Sequence, residues 1–200
     1  MERFFTADLH FAHQSIIRHC DRPYDNVHEM NEALVENWNS VVTEKSLVYI
    51  LGDFAWMRPD YWMDRLNGQK ILIIGNHDTL NSDAKKKFQF IKPMYVTKID
   101  GQSITMCHYQ MSEWNKSFHG SWHLYGHSHG NATEWDDKLS FDIGTDLWNY
   151  TPVHWDTVVN KMQHKMAVRD EIKAQREAES PWVPGQNRIK ITEFNQQFIK

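Results

Sequence analysis

The sequence predicts an α/β fold, an α+β-like sandwich of two mixed β-sheets flanked by helices. Three observations predict it. Short apolar runs alternate with helix-period segments up to about residue 90, the signature of βαβ units with parallel pairing. Beyond that point the apolar runs crowd to hairpin-like spacing, which implies a mixed or two-sheet arrangement. A long charged segment without glycine or proline then follows.

The first strand is predicted at residues 3–7, where an apolar run ends at Asp8. Residues 27–42 form a helix, because Val27, Met30, Leu34, Trp38 and Val41 recur at spacings of three and four and make one apolar face. Either Asp25 or Asn26 caps it. A second strand covers 47–51, and a shorter helix covers 59–66, with Pro59 in its first turn and Gly68 just past its end. Further strands are predicted at 71–74, 103–107, 122–125 and 139–143. Residues 155–179 read as one long helix whose stripe of Val158, Val159, Met162 and Met166 packs on the body. The segment 180–186 breaks it, and 188–194 alternate apolar and polar residues as a last strand would. The expected organisation is one domain over residues 1–155 and an extension over 156–200 packed on it. The alternative for the long helix is a dimerisation arm, so monomer and homodimer both stay open.

A chain of 200 residues with 40% hydrophobic residues, nine tryptophans and ten phenylalanines is long enough and apolar enough to bury a core. A net charge of −4 carries no global footprint for nucleic acid, although a local basic groove remains compatible with it. No segment has the apolar length of a membrane span, and the first residues lack a signal-peptide pattern. Two cysteines, Cys20 and Cys107, make no disulfide framework; a reducing cytoplasm is the expected location, and Cys107 is expected to be a buried strand residue.

Twelve histidines are the anomaly. His19, His28, His154 and His164 read as scattered surface or core residues. Most of the others gather in clusters, each at the C-terminal end of a predicted strand: Asp8 and His10, Gly52-Asp53, Gly75-Asn76-His77-Asp78, His108, and Gly126-His127-Ser128-His129. Ligand sites in α/β sheets lie beyond the carboxyl ends of strands, so these clusters are expected to converge on one rim. In extended backbone, residues i and i+2 point to one side, which would let Asp8 and His10 grip one ion, and His127 and His129 likewise. Gly52, Gly75 and Gly126 let the chain turn where a larger residue would obstruct the site. Imidazole with carboxylate suits Mn²⁺, Fe²⁺, Ni²⁺ or Zn²⁺. The two oxygens of Asp53 allow it to bridge two ions about 3.5–4 Å apart, and the amide oxygen of Asn76 adds a neutral ligand.

The ordered set D-x-H, G-D, G-N-H-D, H and G-H-x-H, running from Asp8 to His129, resembles the calcineurin-like metallophosphoesterase family. The segments 4–13 and 124–130 resemble a small single-domain bacterial and phage branch of it, and the resemblance covers about residues 3–155. It implies two divalent metal ions, Mn²⁺ before Fe²⁺, Ni²⁺ or Zn²⁺. Asp8, His10, Asp53 and His129 would hold the first, and Asp53, Asn76, His108 and His127 the second. It also implies that His77 is the catalytic histidine that is not a ligand and that Asp78 orients it. The reaction implied is hydrolysis of a phosphate ester by metal-activated hydroxide, with His77 binding the phosphate or protonating the leaving oxygen.

Three residues are candidates for substrate contact. His13 either touches substrate phosphate or caps the following helix. Arg22 either binds phosphate or shapes its loop, the second being preferred. Tyr109, with Trp114, either stacks on a base or packs internally, and packing is preferred. His119 and His123 receive no role. The substrate is expected to be a small phosphate ester, with nucleotides or cyclic nucleotides leading. A nuclease or nucleic-acid end-processing phosphatase is the alternative, with Lys85-Lys86-Lys87 as its sole basic cluster. A non-catalytic scaffold is the third class; it would have no need of an intact His77.

Overall fold

The computed structural model describes residues 1–179, so the break at 180–186 and the strand at 188–194 lie outside the described residues. In chain order, the first half comprises β1 (Arg3–Thr6), α1 (Gln14–His19), α2 (Val27–Val41), β2 (Leu47–Ile50), α3 (Pro59–Arg65), β3 (Gln69–Ile73), α4 (Ser82–Lys87) and β4 (Ile91–Lys92). The second half comprises β5 (Met94–Ile99), β6 (Gln102–Cys107), β7 (Trp122–Tyr125), β8 (Ser140–Asp142), β9 (Val153–His154) and α5 (Trp155–Glu179).

Two mixed sheets result, as the alternation of runs predicts. The first has strand order β4-β3-β2-β1-β9, parallel except for the β1–β9 edge. The second has order β5-β6-β7-β8, with the β5–β6 hairpin antiparallel and the other pairs parallel. The central strands of the first sheet carry apolar runs, Phe4-Phe5, Leu47–Ile50 and Ile71–Ile73, because both their faces are covered. Phe5, Ala7, Leu47, Tyr49, Leu51, Ile71 and Ile73 face the second sheet, where they meet Ile104, Met106, Leu124 and Phe141. Phe4, Val48, Ile50 and Leu72 point the other way, onto Met30, Leu34 and Trp38 of α2 and Trp62 of α3.

Asn26, rather than Asp25, caps α2: its side chain accepts from the Glu29 amide, and the Glu29 carboxylate accepts from the Asp25 amide. Trp38 is fully buried and its indole N–H donates to Asn67 O at 3.0 Å; truncating such a residue to alanine costs about 3–5 kcal/mol. Helix α5 begins in the inter-sheet core. Trp155, Val158 and Met162 are buried there, and Val159 and Met166 pack against them. The same face buries Lys165, whose ammonium donates to Glu134 Oε1 at 2.9 Å and Trp135 O at 3.2 Å. No described helix is long and apolar enough to cross a membrane.

Differences from the sequence expectations concern edges and short elements. Strand β5 borders the second sheet with alternate residues exposed, and β4 and β9 are two residues each, held by pairing rather than by apolar content. Cys107 is half-buried rather than buried, since it ends β6 opposite the exposed Met94.

Candidate metal centre

The rim at the C-terminal ends of β1, β2, β3, β6 and β7 gathers the polar clusters. Beyond β1 the chain continues beside the segment after β2: the Asp8 amide donates to Gly52 O, His10 to Asp53 O and Phe11 to Phe54 O, at 3.0, 2.9 and 3.1 Å. This is no extended strand. Asp8, His10 and Ala12 have φ of 58°, 53° and 61°, and Asp53, His127 and His129 lie at 54°, 70° and 47°. Left-handed backbone at non-glycine residues is strained and collects at functional sites. Asp8 and His10 therefore converge through alternate left-handed residues, not through the same-side geometry of a strand.

The second expectation of that kind is corrected as well. His127 and His129 do not act together: donor atoms of Asp8, His10 and His129 form one group, and those of Asp53, His108 and His127 form another. Asp53 joins the two. Its Oδ1 accepts from the His77 amide at 2.9 Å, while Oδ2 lies 3.4 Å from His10 Nε2 and 3.5 Å from His108 Nε2. Asn76 Oδ1 lies 3.0 Å from His108 Nε2, which places Asn76 with the second group.

The donor chemistry fits divalent cations. His108 Nδ1 is 2.8 Å from Leu51 O, and a carbonyl only accepts, so that nitrogen carries a proton. In the neutral ring Nε2 is then a lone pair facing two acceptors, Asn76 Oδ1 and Asp53 Oδ2. Such a convergence of lone pairs requires a proton or a metal between them. In the other group, Asp8 Oδ1 and His10 Nε2 are buried without a hydrogen-bond partner. Glycine at 126 is required by close approach, because a Cβ there would lie 2.6 Å from Asp8 Oδ2. Gly52 meets the other need, a φ of +90°.

Burial and close packing perturb the charges of these groups in both directions. Burial pushes the Asp8 carboxyl up to about 7 and lowers His10 to about 3. Burial opposes charge on His108 and Asp53 too, yet their mutual hydrogen bond raises His108 and holds Asp53 down at about 2. Against the same burial, Asp146 pushes His129 up to about 10.

Asp78 makes no hydrogen bond to the His77 ring. Its carboxylate accepts from the amides of Asp53, Phe54 and Gly75 at 3.0, 2.8 and 2.7 Å, so it ties the β2 and β3 loops together and positions His77 only through the backbone. His77 itself is exposed at the cleft with its ring 5.6 Å from that of His10. His13 stands at the N-cap of α1 but its side chain makes no capping hydrogen bond; its Nδ1 is 3.1 Å from His10 Nδ1 and its ring stacks on Trp56 at 4.4 Å. Arg22 cannot reach substrate. It is buried, with Nε and Nη2 on the Asp146 carboxylate at 2.7 and 3.0 Å and further donations to Asp8 O and Leu9 O. Tyr109 is exposed beside His108 and His127, whereas Trp114 is buried, with its N–H on Ser121 O. His123 is an internal residue bonded to Thr105 O and the Met111 amide.

Two contributors escaped the sequence reading. Asp146 accepts from His129 Nδ1 at 2.7 Å, which makes the nearby set of Cys20, His129 and Asp146 a hydrogen-bonded pair beside a thiol rather than a ligand group. Asp142 accepts from Ser128 Oγ and from the amides of Gly130 and Gly144, bracing the turn that carries His127 and His129. Asp142 falls inside the strand predicted at 139–143 and Asp146 three residues past it, close to the strand-end signal that exposed the other clusters. Trp56, half-exposed, forms a wall of the 340 Å³ cleft, which His10, Asp53, His77 and His129 also line.

No family model matches the chain. The uncharacterized protein MJ1445 of Methanocaldococcus jannaschii is 32% identical over 176 residues, spanning 83% of this chain and 94% of that protein. The gene 66 protein of Mycobacterium phage L5 is 35% identical over 92 residues, 42% of this chain and 44% of its own length. Among solved structures, AQ665 from Aquifex aeolicus, a protein of unknown function, matches 80% of this chain and 98% of its own with a TM-score of 0.63 at 19% identity, a likeness of fold.

Proposed function

We propose that this chain, which belongs to the family of the uncharacterized Methanocaldococcus jannaschii protein MJ1445, is a metal-dependent phosphoesterase of the calcineurin-like kind acting on nucleotides or cyclic nucleotides. The observation that carries this reading is the pair of ligand groups joined at Asp53, with His108 Nε2, Asn76 Oδ1 and Asp53 Oδ2 converging as acceptors. Divalent cations bound there would act as Lewis acids on phosphoryl oxygens and lower the pKa of water. Asp8, His10, Asp53 and His129 would hold one, and Asp53, Asn76, His108 and His127 the other; Mn²⁺ suits this set, as do Fe²⁺, Ni²⁺ and Zn²⁺.

His77 is the group left to handle a proton. It lies in the cleft, makes no ligand contact and is anchored by its amide on Asp53. From there its ring reaches the leaving oxygen of an ester bound over the two groups. Trp56, exposed at the cleft, and Tyr109, exposed beside His127, offer aromatic surface for a nucleobase. The basic cluster does not offer the nucleic-acid track that a nuclease needs: Lys86 pairs with Asp83 and Lys87 with Asp64 on and beside α4. A scaffold reading is disfavoured by the open cleft and the intact His77.

The deciding experiment is hydrolysis by Mn²⁺-reconstituted protein of p-nitrophenyl phosphate, its bis ester and a panel of linear and cyclic nucleotides. No turnover of any ester by protein carrying two ions would overturn the proposal. Trp56→Ala is expected to raise KM for the preferred nucleotide about tenfold, base stacking being worth about 1–3 kcal/mol, with no change for a small alkyl phosphate. Equal effects on both would remove Trp56 from recognition.

Metal affinity should rise with pH. The Asp8 carboxyl, at about 7, is mostly protonated below that value and must lose its proton to become a ligand. Calorimetric titration with Mn²⁺ at pH 6, 7 and 8 is expected to show tighter binding at each step with proton release largest at pH 6; a flat profile would refute it.

A further inference from the structure

We propose that the buried Arg22–Asp146 ion pair is a positioning element for one half of the metal centre, so that cation binding by Asp8, His10 and His129 depends on it and binding by Asp53, Asn76, His108 and His127 does not. This inference rests on the two-ion reading above.

The halves are anchored differently. His108 is oriented by a backbone acceptor, Leu51 O at the end of β2, and that anchor needs no other side chain. His129 instead donates from Nδ1 to Asp146 Oδ2 at 2.7 Å, leaving Nε2 as the nitrogen free to act with the Asp8 group. A carboxylate partner fixes the tautomer and ring plane of such a histidine and makes its other nitrogen a stronger donor to metal.

Asp146 is in turn held by Arg22. The guanidinium is fully enclosed, the carboxylate nearly so, and the two meet through a fork of 2.7 and 3.0 Å. The remaining donors of Arg22 reach Asp8 O at 2.7 Å and Leu9 O at 3.0 Å. Asp8 has left-handed backbone, so this donation restrains a strained residue that also supplies a carboxylate to the same group. One guanidinium therefore fixes two ligands of one group, Asp8 through its own carbonyl and His129 through Asp146. No hydrogen bond or ion pair of Arg22 or Asp146 reaches His108, Asn76 or His127 among the described residues. Lysine cannot replace this fork, because an ammonium is a point charge without planar paired donors.

The test measures Mn²⁺ bound to the whole chain by equilibrium dialysis and metal analysis, with electron paramagnetic resonance to separate coupled from isolated ions. Wild type is expected to bind two Mn²⁺ with a coupled spectrum; fewer than two would overturn the two-ion reading itself, before any variant is considered. Asp146→Asn is expected to weaken one ion about 10–100-fold, the range for losing such a partner. At concentrations saturating wild type it should hold one Mn²⁺ with an isolated-ion spectrum. Arg22→Lys retains the buried positive charge and should show the same selective loss, and it decides the matter if Asp146→Asn does not fold. Two ions at wild-type affinity in a folded variant, or equal weakening of both, would overturn the proposal.

Discussion

Asp53→Asn is expected to lower turnover by more than about 10²-fold and to leave the protein with at most one tightly bound ion. Loss of a residue that merely supports a metal ligand costs 10–100-fold, and the Asp53 carboxylate lies between the two ligand groups, 3.4 Å from His10 Nε2 and 3.5 Å from His108 Nε2. The amide can still accept the His77 N–H through an oxygen, so the loop and the fold should persist. What changes is the other atom. In place of a carboxylate oxygen between His10 Nε2 and His108 Nε2, the variant supplies either an uncharged oxygen or an NH₂ that cannot ligate. Metal content and turnover measured on the same sample check this. Full turnover with two ions bound would remove Asp53 as the bridge.

His77→Ala is expected to lower turnover of alkyl phosphate esters by about 10²–10⁴-fold, the range for general acid catalysis. Metal content and melting temperature should be unchanged, since the ring is exposed and the amide contact to Asp53 survives. An alkoxide leaving group needs the proton that His77 would give, whereas p-nitrophenolate departs without one. The loss on p-nitrophenyl phosphate should therefore be smaller. Equal losses on both substrates would assign His77 to phosphate binding instead.

Much of the fold was legible because its signals are local. The apolar runs at β1, β2, β3, β6, β7 and β8 mark strands covered on both faces or facing the inter-sheet core, and the spacing of Met30, Leu34 and Trp38 marks a helix covered on one. Strand β5 was not legible, since an edge with alternate residues in water has no continuous apolar run. β4 and β9 gain their structure from neighbours, and two residues carry no period.

The site divides in the same way. The sequence by itself put forward the candidate donor set, Asp8, His10, Asp53, Asn76, His108, His127 and His129, because metal chemistry needs those residue types and each cluster closes a strand. It also determined that these clusters share a rim, since parallel strands bring their C-terminal ends together. Only the tertiary structure decided that Asp8 and His10 converge through left-handed backbone rather than along a strand, that Asp78 braces amides instead of the His77 ring, and that Arg22 is interior. It decided as well that Asp146, 124 residues from Arg22, completes the setting of His129. The physical reason is common to all four. They depend on left-handed backbone in the loops and on hydrogen bonds between distant segments, and neither leaves a periodic trace in the chain.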